Sequence, residues 1–282
     1  MDLILRKNDS ATSLLLFIYN HYVTETSNDR LKLSSLLEIL KVFDKNESAI
    51  RMSLSRAVKS NVLVNSREDG DVYYTLSHLG RESIESWNKG VNSYWRRYHL
   101  RHLPWNGKWY LINIEFPDDK KQKSEMIDQL HQIGFSFPNS KIGISPYDFR
   151  NEVDTLTKKY GMEKDILEMY GDMYIKKEMK EFLEEVYHIE ILKKRYEEFI
   201  GKWSGKFQEL KEECRKDHFV GNGLALPVLH ELGWQFFSIA ANDAVLPIDL
   251  YPLWEGDRAA AIMKDLKGLL LEASIKYLVK FK

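Results

Sequence analysis

Apolar positions in the first hundred residues follow two different periods, and the change from one to the other outlines a domain. Leu14, Leu15, Phe17, Ile18 and Tyr22 recur at helical spacing and give a first helix its core face, with Ser10 or Thr12 as N-cap. A polar loop over residues 24–30 separates it from a second helix that carries Leu33, Leu36, Leu37 and Leu40. Asp44 and Asn46 then supply the turn and cap of a third helix over residues 46–60, where Ile50, Leu54, Ala57 and Val58 share one side. Val62 and Val64, then Val72, Tyr74 and Leu76, alternate with period two, and Asp69-Gly70 gives the turn between them its positive-φ residue. A closing helix starts at Ser77 or Gly80 and runs towards Tyr94. That order of elements predicts a winged helix-turn-helix domain over residues 1–90.

Residues 91–108 read as a basic, aromatic connector in which Pro104 and Gly107 mark a boundary. A strand over 109–116 follows, then a helix over 119–133 with Met126, Ile127, Leu130 and Ile133 on one side. Short strands at 135–137 and 141–145 flank Pro138-Asn139-Ser140, and a helix at 149–160 leads to a last strand at 166–174. The order βαββαβ is that of a ferredoxin-like domain, here over residues 109–177. Residues 178–282 are mostly helical, with helices expected at 178–207, 226–240 and 258–278. The longest carries Phe182, Val186, Ile189, Leu192, Tyr196 and Phe199 as a core or interface stripe, and Pro247 and Pro252 stiffen the loop at 246–256. The fold class is therefore α+β: a winged helix-turn-helix, a ferredoxin-like domain and a helical C-terminal domain.

Charge changes this picture only locally. The formal net charge is -1, so a nucleic-acid surface must be a patch, and residues 48–67 supply one with four basic residues and no acidic one. Ser48, Arg51, Met52, Ser55, Arg56 and Lys59 lie opposite the apolar stripe of the third helix, as a helix entering the major groove of double-stranded DNA requires. Arginine can pair with guanine in two bonds, whereas serine and lysine more often hold phosphate. A solvated helix face is the alternative for Arg56 and Lys59. Arg67 at the wing tip is placed for phosphate or the minor groove, but Glu68, Asp69 and Asp71 beside it oppose strong contact, so the wing is expected to add little specificity.

The single Cys214 cannot form an intramolecular disulfide and suits a reducing compartment. The longest early apolar run, residues 14–19, is far short of the ~20 residues that span a bilayer. A cytoplasmic protein with no membrane contact is expected. His99 and His102 are three apart with no third ligand at suitable spacing, and no P-loop, dinucleotide fingerprint or Ser-His-Asp set is visible. No cofactor, metal site or catalytic residue is therefore assigned. The rival from another class is a metal-dependent nuclease using Glu115, Asp118 or Asp119, with the winged helix as its targeting module.

Four segments carry a resemblance to the PaaX family, repressors of bacterial phenylacetic acid degradation, over nearly the whole chain. Residues 48–58 resemble the family's recognition helix, and Tyr73-Tyr74-Thr75-Leu76-Ser77 its wing and exit. Trp105-Asn106-Gly107-Lys108-Trp109 is similar to the Trp-Asp-Gly-x-Trp opening of the middle domain, with Asn106 in place of Asp. Residues 188–196, and Leu246-Pro247 through Trp254-Glu255-Gly256, resemble the two C-terminal signatures. The resemblance implies a homodimeric repressor joined through a middle domain similar to the small CRISPR-associated nucleases. It also implies a crevice, formed with the C-terminal domain, for an aryl-CoA inducer such as phenylacetyl-CoA.

Within that expectation the connector is the candidate inducer site. Arg96, Arg97, Arg101 and Lys108 offer charge to the phosphates of CoA, while Trp105 and Trp109, with Tyr94, Trp95 and Tyr98, offer surfaces for adenine and acyl group. The competing reading makes Trp105 and Trp109 core residues and leaves the arginines solvated or facing DNA. Another acyl-CoA or a free aromatic acid is the remaining alternative for the ligand.

Overall fold

A computed structural model describes residues 11–282. Ser10, one of the two cap candidates of the first helix, lies outside them. The chain divides into two compact units. The first to be described gathers residues 11–89, Phe199–Phe236 and Ala259–Lys282, and the second gathers Gly90–Glu198 and Phe237–Arg258. The chain passes between the two at Lys89/Gly90, Glu198/Phe199, Phe236/Phe237 and Arg258/Ala259, so the C-terminal helices are shared between them. Leu226, Tyr277 and Leu278 join Leu15, Ile18, Leu54 and Leu76 in one cluster.

In the first unit, α1 (Ala11–Thr26), α2 (Leu33–Lys41) and α3 (Glu47–Lys59) carry the expected apolar faces, and Leu15, Ile18, Leu36, Ile39, Ile50 and Leu54 are buried. Asn46 caps α3 through its side-chain oxygen, which accepts from the Ala49 N–H at 2.8 Å. At the other end Asn61 takes φ +55°, and the N–H groups of Asn61 and Val62 bond back to Val58 and Ala57 at 3.0 and 2.8 Å. This αL closure satisfies the last carbonyls of α3 and turns the chain at once into β2 (Leu63–Glu68). β3 (Asp71–Leu76) returns antiparallel after a two-residue turn in which Asp69 and Gly70 have φ +49° and +85°, the signature of the turn that matches strand twist. A short strand between the expected loop and the second helix, β1 (Leu31–Lys32), completes a sheet of order β1-β3-β2.

α4 runs unbroken from His78 to Arg101, so the first half of the expected connector is helix. Ser77 caps it, its hydroxyl accepting from the Gly80 N–H at 3.0 Å.

The second unit is built on β4 (Trp109–Ile114), β5 (Ile142–Ser145) and β6 (Ile166–Gly171), antiparallel in the order β5-β4-β6. α5 (Lys120–Ile133) and α6 (Arg150–Tyr160) cover the face of Tyr110, Ile112 and Ile114 with Met126, Leu130, Val153 and Leu156. The expected strand at 135–137 is reduced to a single bridge between Ser136 and Ile144 on the outer side of β5. Pro138 has no N–H to extend the ladder, and Gly134 turns the chain at φ +128° just before it. On the opposite face of the sheet Trp109 is covered by Phe182, whereas Leu167 and Met169 are 73% and 61% exposed.

The long helix expected at 178–207 is two, α7 (Met179–Tyr187) and α8 (Ile189–Trp203), parted by His188 at φ +52°. Glu184 explains the break, because its carboxylate accepts from the Glu190 N–H at 2.9 Å and so caps the first turn of α8. α9 (Phe207–Glu213) and α10 (Asp217–Gly221) are short, and α11 (Ala225–Ala240) and α12 (Glu255–Leu278) match the expected helices, α12 starting three residues early.

Gly134 is a backbone position with little tolerance: a Cβ would lie 2.7 Å from Arg97 Cδ and 2.9 Å from the Phe149 ring, at a φ that L residues avoid. Gly134→Ala is expected to lower stability by about 2 kcal/mol in denaturant titration, through strain and overpacking together. A change inside experimental error would show that this corner can relax.

Candidate functional site

Burial along α3 follows its period. Ile50, Leu54 and Ala57 are buried, while Ser48, Arg51, Met52, Ser55, Arg56 and Lys59 are exposed together on the other side. Met52 is 53% exposed, an apolar group held in water at the centre of a basic face. Arg51 bonds back to Glu47, Nε at 2.9 Å and Nη2 at 2.8 Å, a one-turn pair worth a few tenths of a kcal/mol at most. Among the described residues no ion pair occupies Arg56, Lys59 or Arg67.

The wing is less acidic in effect than in sequence. Glu68 is paired with Arg30, whose guanidinium also lies 3.9 Å from the centre of the Tyr73 ring. Asp71 is paired with Lys32 at 2.5 Å. Arg30 ends the expected loop and Lys32 lies on β1, a strand that sequence periodicity does not show. These pairs offset two of the hairpin's acids, and Arg67 stays exposed on β2 beside the turn.

The connector arginines divide by helical geometry. Arg97 and Arg101 are one turn apart on α4 and both are buried, 2% and 0% exposed, while Arg96 points to solvent. Arg101 makes a two-bond pair with Asp257, Nε to Oδ1 at 2.8 Å and Nη2 to Oδ2 at 2.7 Å. It also donates to the Leu246 carbonyl at 2.6 Å and the Tyr251 carbonyl at 2.9 Å. Arg97 donates to Ser93 Oγ at 2.9 Å, to the Gln132 carbonyl and to the Asp243 carbonyl at 3.2 Å. Its Nε is buried without a partner. Arg96 pairs with Glu152 near the surface.

Trp109 is buried against Trp105 and Phe182, and Trp105 is half-buried with its indole N–H on the Pro146 carbonyl at 2.9 Å. Lys108 is exposed, its ammonium 5.8 Å from the centre of the Tyr170 ring. Of the six connector residues singled out by sequence, only Arg96 and Lys108 hold their charge towards water. Arg97, Arg101 and the two tryptophans are engaged inside the unit.

Sequence reading missed Asp243, a carboxylate buried among apolar residues. Its oxygens accept from the Val245 N–H at 2.7 Å, Tyr196 OH at 2.9 Å and Trp254 Nε1 at 3.1 Å. Burial pushes its pKa up, against those three donors and the nearby Arg97. The available signal was an acid inside the run Ile239-Ala240-Ala241-Asn242-Asp243-Ala244-Val245-Leu246, where an uncompensated charge could not stand.

The nuclease rival needs clustered acids. Glu115 is paired with Lys141 at 2.7 Å and Asp119 caps α5 through the Gln122 N–H at 2.8 Å. Among the described residues no three His, Cys, Asp or Glu side chains gather as a metal site.

Two family models match the chain: residues 10–80 match "PaaX-like protein" and residues 102–182 match "PaaX protein central Cas2-like domain". A solved structure, the uncharacterized protein Rv0674 from Mycobacterium tuberculosis, is similar over 94% of this chain and 97% of that one. Its TM-score of 0.52 at 15% identity speaks for a shared fold and nothing more. No curated protein matches.

The contrast between neighbouring arginines is measurable. Arg101→Ala strands the buried Asp257 pair and two carbonyls and is expected to cost roughly 3–5 kcal/mol of stability in chemical denaturation. Arg96→Ala is expected to change stability by less than about 0.5 kcal/mol. Equal effects would mean that the helix is rotated from the placement described.

Proposed function

The chain belongs to the PaaX family, and from that premise we propose that it is a transcriptional repressor that leaves its operator on binding an aryl-CoA such as phenylacetyl-CoA. Membership points to a regulator of phenylacetic acid catabolism. The observation that carries the reading is α3: capped at Asn46, apolar on one side, basic on the other and joined directly to a β ribbon. As a winged helix-turn-helix it would lay Ser48, Arg51, Met52, Ser55, Arg56 and Lys59 along the major groove, with Arg67 on the adjoining backbone. Met52 suits the methyl of thymine, and Arg56 suits guanine.

A palindromic operator calls for two copies of this helix. In the ferredoxin-like central domain, exposed Leu167 and Met169 with half-buried Leu111 and Ile142 form an apolar patch on the uncovered sheet face, and a second copy is the occupant that dimerisation requires. The effector's phosphates would meet the exposed Arg96 and Lys108. Arg97, Arg101, Trp105 and Trp109 would shape that region from beneath. No helix among the described residues is long and apolar enough to cross a membrane.

On its own upstream DNA, Arg56→Ala is expected to weaken binding about ten- to a hundredfold in gel shifts, the worth of a lost two-bond base contact. Phenylacetyl-CoA is expected to release the wild-type complex, and release by no acyl-CoA would remove the effector from the reading. Met169→Glu is expected to give a monomer in analytical ultracentrifugation while α3 keeps its fold. A persisting dimer would place the interface elsewhere.

A further inference from the structure

Residues 243–257 form a strap held by hydrogen bonds along its length. Arg101 binds its carbonyls at Leu246 and Tyr251 and its final carboxylate, Asp257. The Ile248 N–H donates to the Arg101 carbonyl at 3.1 Å, and Asp249 accepts from the Trp105 N–H at 2.9 Å. Near its start, Val245 sits at φ +56°. A β-branched residue is a true outlier there, at a cost of order 1–3 kcal/mol, and persists only when its surroundings dictate it. They do so here: Asp243 takes the Val245 N–H at 2.7 Å and the Tyr147 hydroxyl donates to its carbonyl at 2.5 Å.

Beneath the strap lies a small slot lined by Ile189, Asp243, Leu246, Tyr251 and Trp254, with a volume of about 10 Å³. That is room for a water at most. Its walls are aliphatic and aromatic apart from Asp243, whose oxygens are already taken by Val245, Tyr196 and Trp254.

We propose that the strap is a two-position latch, loaded by Val245 and held shut by Arg101, and that its opening admits the apolar acyl end of the effector between Tyr251 and Trp254. This rests on the effector reading above and names the place where that ligand is felt. Strain in the closed form favours release, and the Arg101–Asp257 pair opposes it. A ligand that binds only the open form is weakened by the fraction of time the latch is shut, so altering either term moves its apparent affinity.

The two terms give opposite expectations. Asp257→Asn weakens the hold on Arg101 and is expected to lower the phenylacetyl-CoA concentration that half-releases the operator about five- to tenfold. Val245→Gly accepts φ +56° without strain and is expected to raise that concentration by a similar factor. Both titrations use full-length protein, with thermal melting as a check that the variants fold. Shifts in the same direction, or none, would overturn the latch. Should either variant fail to fold, a photoreactive aryl-azide analogue of phenylacetyl-CoA decides the matter on wild-type protein. It is expected to label the peptide holding Tyr251 and Trp254, and unlabelled phenylacetyl-CoA should block that labelling. Competed labelling elsewhere would overturn the slot. If no acyl-CoA competes and none releases the operator, the effector reading itself fails, and the latch fails with it.

Discussion

A guanidinium taken wholly out of water keeps its charge and must find every donor an acceptor, and Arg101 organises its unit by that requirement. Its acceptors come from three separate places in residues 246–257, so satisfying one side chain fixes the path of a whole segment. A lysine could not do this: it has no planar fork to meet a carboxylate and two carbonyls in one geometry. Arg97, one turn earlier on α4, repeats the solution less completely and leaves Nε without a partner. Together they make the end of α4 a polar spine, where an amphipathic helix would be expected to carry leucines.

The helix α3 depends on the opposite kind of constraint, backbone conformation rather than charge. Asn46, Asn61 and Gly70 each supply a local geometry that other residues adopt at a cost: a cap, a left-handed closure and a hairpin turn. With both ends of α3 fixed, its exposed residues keep their spacing against the ribbon. Two ion pairs, Arg30–Glu68 and Lys32–Asp71, then tie the ribbon's tip to β1.

These two constraints differ in how they are written in sequence. α3 was legible because a period of 3.6 and its caps are local, and the apolar residues say which side is inside. The same holds for β4, α5 and α6, whose alternations survive packing. The four-residue spacing of Arg97 and Arg101 also says that they share a face, but not that the face is buried. Charge normally marks the outside, and the partners that reverse the rule, Asp243 and Asp257, lie more than 140 positions away. β1 was missed because two residues carry no period, and with it went the cations that offset the wing. The break at His188 was hidden because the apolar stripe runs on through it. The sharing of the C-terminal helices between the two units is hidden for a similar reason, since helical periodicity shows that a stripe is buried without saying against which neighbour.

One consequence follows from the pairing of Arg51 with Glu47. Binding to DNA gains much of its free energy from the counterions that basic residues displace, in proportion to the phosphates they newly neutralise. Under the proposed reading Arg51 would leave Glu47 to reach a phosphate, and the exposed carboxylate left one turn away would repel the same backbone. Arg51 would then add less to affinity than an arginine with no acid beside it. Arg56, Lys59 and Arg67 would carry more of the attraction, and a simple tally of positive residues would overstate the pull of this face on DNA.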